Sequence, residues 1–75
     1  MLSHSDELAL FVAVVEAGSF RQAADNLGID NSVVSRGVKR LEQKLATQLL
    51  NRTTRRVTLT DEGDWFYRRA ANLLD

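Results

Sequence analysis

Seven Lys and Arg side chains fall between residues 31 and 60, with one carboxylate, Glu42, among them. They are Arg36, Lys39, Arg40, Lys44, Arg52, Arg55 and Arg56. The flanks are acidic. Residues 1–30 set Arg21 against Asp6, Glu7, Glu16, Asp25 and Asp30; residues 61–75 set Arg68 and Arg69 against Asp61, Glu62, Asp64 and Asp75, so the whole chain is neutral. Clustered cations of this kind do the chemistry of phosphate binding, because each one that meets a phosphate releases condensed counterions. The clustering decides this, whatever the total charge. Asn31, Ser32, Val33 and Ser35 lead into the cluster. Short donors and acceptors and a small apolar surface are side-chain types that read base edges in a DNA groove.

Other chemistries are poorly served. The one His, His4, lies near the terminus, and the chain has no Cys, which excludes disulfides and thiolate metal sites. No nucleophile stands beside a base at a catalytic spacing. Asp61, Glu62 and Asp64 read as charges suited to the positive end of a helix rather than as an acid–base pair. No catalytic residue, metal or cofactor is expected, and the chain does not read as an enzyme. The longest apolar run, Leu8 to Val15, is too short for a bilayer span. The start of the chain also lacks the features of a signal peptide. Together with the absence of Cys this favours a cytoplasmic protein with no membrane partner.

Such side chains read DNA only if a rigid element carries them into a groove. The pattern predicts a mainly α domain over residues 1–60, with three helices and a two-stranded hairpin, and a fourth helix over 61–75. The first helix is expected from Asp6 to Ala17, with Ser5 as its cap, Leu8, Phe11, Val12 and Val15 on one face, and Leu10 and Val14 on a second. Ser19 caps a short helix from Phe20 to Leu27, Gly28 stops it, and Ile29 is placed to plug the core from the turn. Asp30 or Asn31 caps a third helix, Asn31 to Leu45, whose core stripe is Val34, Val38, Leu41 and Leu45 and whose outer face carries Ser32, Arg36 and Lys39. Leu49 and Val57 to Thr60 suit short strands, and the connection lacks the residues of a tight primed turn. Thr60 caps the last helix, whose apolar stripe is Phe66, Ala70, Leu73 and Leu74.

A short helix, a tight turn and a longer helix form a helix-turn-helix, whose second helix must dock in the major groove. Asn31, Ser32, Val33, Ser35 and Arg36 are the candidate base contacts. Lys39 and Arg40 are candidates for phosphate, and Arg52, Thr53, Arg55 and Arg56 belong to a hairpin wing able to reach the flanking backbone or minor groove. Two plainer readings compete. A solvated helix of mixed charge would alternate signs, which residues 31–60 barely do. A protein-docking module would use the uncovered apolar stripes of the first and last helices. The basic outward face, which predicts steep salt dependence, separates DNA binding from it.

From Leu8 to about Arg68 the chain resembles the DNA-binding domain of LysR-type transcriptional regulators, a winged helix-turn-helix. The carrying residues are Phe11, Val14 and Val15, then Gly18-Ser19-Phe20, Ala23-Ala24 and Leu27. Ser32-Val33-Val34-Ser35-Arg36, Val38, Leu41-Glu42 and Leu45 follow, and Leu49, Arg52, Leu59-Thr60 and Gly63 complete the set. The resemblance implies a bacterial regulator of transcription that binds double-stranded DNA as a homodimer. Its linker helix would pair through Trp65, Phe66, Ala70, Leu73 and Leu74. It also implies a small-molecule effector bound by a further C-terminal domain that these residues do not include. Base contact is implied for the start of the third helix, and phosphate contact for Arg21, Lys39 and Arg52. Two positions depart from the family pattern: Ala46 stands where Gly is usual, and Leu50 where Phe is usual. The first implies either an Ala in the left-handed region or a helix that runs on.

Overall fold

The computed structural model describes residues 4–52 and 56–74, with side chains over 6–52 and 56–72. In chain order the elements are α1 (His4–Ala17), α2 (Phe20–Leu27), α3 (Asn31–Leu45), β1 (Leu50–Asn51), β2 (Thr58–Leu59) and α4 (Asp61–Leu74). The two strands pair antiparallel, Leu50 opposite Leu59 and Asn51 opposite Thr58. This is a winged helix-turn-helix.

α1 is apolar on nearly every side, and a helix of that kind must be buried. It lies centrally, packed against α2, α3 and α4. Both of its stripes are used: Phe11 and Val14 are fully buried, and Leu10 and Val12 nearly so. The Phe11 ring meets Phe66 at 5.8 Å and the edge of Tyr67 at 6.4 Å. Ala23 and Ala24 from α2, Val34, Val38 and Leu41 from α3, and Leu49, Leu50 and Ala70 complete the core. Tyr67 donates its hydroxyl to Glu16 at 3.2 Å. Burial, and then the Glu16 charge and this hydrogen bond, raise its pKa above 10.0.

Several expectations need correction. α1 begins at His4, before the expected start at Asp6, which puts Ser5 inside the helix; the Ser5 side chain lies outside the described residues. Asp6 and Glu7 still occupy the first turn. Glu7 is more than a helix-dipole charge. It is fully buried, accepts a hydrogen bond from Lys44 Nζ at 2.8 Å, and has no partner for Oε2 among the described residues. Ile29 does not plug the core, since it and Leu27 are 40% and 48% exposed. Ile29 serves the turn through its backbone, donating its amide to the Ala24 carbonyl while Gly28 sits in the left-handed region. That is a Schellman ending, and the core beneath is already filled. Leu45 is only half-buried, because it is the last residue of α3.

The wing is shorter than expected. Leu49 precedes β1 and is buried, and Val57 precedes β2 and donates its amide to the Gly18 carbonyl. Ala46 takes the left-handed conformation at φ 54°, so α3 stops where the family pattern has Gly. Thr60 caps α4 as expected, its hydroxyl oxygen accepting from the Gly63 amide at 2.9 Å while it donates to the Gln48 carbonyl at 2.7 Å. Gly63 has no alternative: a Cβ there would overlap the Leu49 carbonyl oxygen.

Candidate nucleic-acid interface

Three elements build the face. α2 opens with the Ser19 cap, whose hydroxyl oxygen accepts from the Gln22 amide at 3.0 Å and leaves Arg21 exposed in the first turn. α3 opens after Asp30, which stands at the cap position but makes no side-chain cap bond. Asn31 is therefore the first helical residue rather than the cap. The first amides of any helix lack intrahelical acceptors; the Asp30 carbonyl accepts from the Val33 amide at 3.0 Å, and the Asp30 side chain accepts from none. A helix start of this kind is favourable to an anion.

Asn31, Ser32 and Arg36 are exposed, and Val33 and Ser35 are half-buried. Lys39 and Arg40 are exposed one turn further along α3. Ser19, Phe20, Arg21, Asn31, Ser35, Arg52 and Val57 line one open cleft of about 360 Å³. The fold thus brings Arg21, Asn31, Ser35 and Arg52 together from α2, α3 and the wing. Val33 and Arg36 do not line that cleft, and Lys39 borders a separate hollow with Glu42, Gln43, Ala46, Thr47 and Gln48. Arg56 is exposed. Thr53 and Arg55, the other expected wing contacts, lie outside the described residues.

Two partners of the site are not apparent in the composition. Arg52 donates through Nη2 to Glu42 Oε1 at 3.0 Å, and its guanidinium sits 4.8 Å from the centroid of the Phe20 ring. Glu42 therefore pairs with the wing. The available signal was the isolation of Glu42: a lone acid in a basic stretch needs a reason. Phe20 gave none, because an aromatic at a helix start reads as core.

On α4 the expected dimer stripe divides. Phe66 packs at a tilt against Phe11 and Ala70 is 2% exposed, so both belong to this domain's own core. Trp65 is 59% exposed, with Arg69 over its ring at 4.2 Å, and does not pack into the core. It borders an apolar hollow of about 500 Å³ with Leu45, Thr47, Leu49, Asp61, Glu62 and Phe66. The side chains of Leu73 and Leu74 lie outside the described residues. Among the described residues no group of His, Asp or Glu could hold a metal ion, and no helix is long and apolar enough to cross a membrane.

Comparison with known proteins agrees with this geometry. Residues 5–64 match the family described as "Bacterial regulatory helix-turn-helix protein, lysR family". The HTH-type transcriptional regulator CrgA of Neisseria meningitidis is 57% identical over 74 residues, which is 99% of this chain and 25% of that protein. The chain thus spans about a quarter of the length of these curated relatives. Among solved structures, the BenM DNA-binding domain in complex with catB site 1 DNA is similar at TM-score 0.90 and 47% identity, over 93% of this chain and 75% of that one. The CrgA structure is similar at TM-score 0.77 and 55% identity, over 99% of this chain and 24% of that one. The chain belongs to the LysR family of bacterial helix-turn-helix regulators.

Proposed function

We propose that the chain is the DNA-binding part of a cytoplasmic transcriptional regulator and binds double-stranded DNA sequence-specifically. α3 lies in the major groove with Asn31, Ser32, Val33, Ser35 and Arg36 toward the base edges. Arg21, Lys39, Arg40 and the wing cations Arg52, Arg55 and Arg56, with Thr53, hold the backbone. The observation that carries this is the convergence of Arg21, Asn31, Ser35 and Arg52 from three elements beside the start of α3. The similar BenM domain was solved bound to DNA, which supports the reading. Two copies pair through α4, with exposed Trp65 and the hollow beside it as the available apolar surface. An effector would act on the regulator outside these residues. No enzymatic step belongs to this face.

Anisotropy of a labelled duplex, followed against salt, tests the proposal. Affinity should fall steeply, with a log–log slope of about −0.9 for each phosphate neutralised. Weak binding that ignores salt would make the basic face a docking surface for an acidic protein instead.

A further inference from the structure

Glu42 is the one carboxylate between residues 31 and 60, in the stretch that carries most of the basic charge. Simple electrostatics makes an acid there a liability for DNA binding, so its bonds matter. Glu42 Oε2 accepts the backbone amides of Leu49 at 2.8 Å and Leu50 at 3.2 Å. Its Oε1 accepts Arg52 Nη2 at 3.0 Å. One α3 carboxylate thus fastens the start of β1 and the first wing cation. The need is physical, because a two-residue ladder holds little by itself. On the opposite side, Arg52 stacks on Phe20, and Phe20, Arg21, Asn31 and Ser35 share the cleft with it.

We propose that Glu42 is a positioning residue for DNA binding. It holds the Arg52 guanidinium against Phe20, over the cleft, so that its remaining N–H groups meet a backbone phosphate already ordered. A long flexible side chain ordered before binding loses less entropy on binding. The inference rests on the DNA-binding reading above.

A double-mutant cycle of Glu42→Gln and Arg52→Ala decides it. The probe is a duplex that the wild-type protein selects from a random pool, and melting curves are taken for every variant. Gln keeps an acceptor for the Leu49 and Leu50 amides but presents an NH₂ group that cannot accept from Arg52. Glu42→Gln should weaken binding about three- to tenfold in the wild-type background, and not at all beside Arg52→Ala. Tighter binding in both backgrounds would reduce Glu42 to a repelling charge and overturn the proposal. Equal weakening in both would make it a support of the fold only, which also overturns it. If Glu42→Gln melts too low to assay, Arg52→Lys keeps the charge and the Glu42 backbone bonds but loses the planar fork. It should show the same loss, and wild-type affinity would contradict the role. A wild-type protein that selects no duplex sinks the DNA-binding reading itself, and the inference with it.

Discussion

Arg36 and Lys39 stand one turn apart on exposed α3, and the proposed docking gives them different work. Arg36, near the helix start, is placed for a base edge, and Lys39 for phosphate. Arg36→Ala should cost about 1–3 kcal/mol on the selected duplex and relax base preference. Equal loss on selected and random DNA would make it a phosphate contact. Lys39→Ala should weaken all duplexes alike and flatten the salt slope by about one, and an unchanged slope would remove Lys39 from the interface. The basic residues of the site were legible as types and spacing, since charge clustering survives folding. Their partners were not. Glu42 reaches Leu49 and Arg52 only because the chain reverses at Ala46, and Lys44 reaches Glu7 only because α1 and α3 lie side by side.

Helix limits were the most legible elements. α2 falls where the Ser19 cap and Gly28 put it, because local hydrogen bonds decide both ends, whereas α3 starts after Asp30 without a side-chain cap bond and stops at the left-handed Ala46. The wing was less so: Val57 is held by Gly18, far away in sequence, and each strand has only two residues. The turn at Ala46 tests the local argument. Ala46→Gly relieves a left-handed Ala and should stabilise the domain by about 1 kcal/mol in a denaturant titration. No gain would mean that Ala is unstrained there. Gly63 is the reverse case. Gly63→Ala forces a Cβ onto the Leu49 carbonyl and should cost at least about 2 kcal/mol; a wild-type midpoint would show that α4 shifts freely.

At the scale of the whole molecule the core converges on Phe11, which joins α1 to α4 through Phe66 and Tyr67. Phe11→Ala should cost about 3–5 kcal/mol, close to the whole stability of a domain this small. Circular dichroism should show loss of the cooperative melt, and a melt near the wild-type temperature would refute the central place of Phe11. Phe66 and Ala70, expected to help pair two copies through the last helix, are instead taken up within the domain, Phe66 against Phe11 of α1. With Phe66 and Ala70 inside, the proposed self-association rests on Trp65 and what surrounds it. Sedimentation should show a concentration-dependent dimer that Trp65→Ala weakens, and a monomer at every concentration would leave that surface unassigned.

The most direct test of the central claim, that α3 reads sequence in the major groove, is selection from a random duplex pool with base preferences scored for wild type and Arg36→Ala. The account predicts enrichment of a short inverted repeat by the wild type, with preference lost at one position of each half-site in the variant. No enrichment, or an identical motif from both proteins, would contradict it.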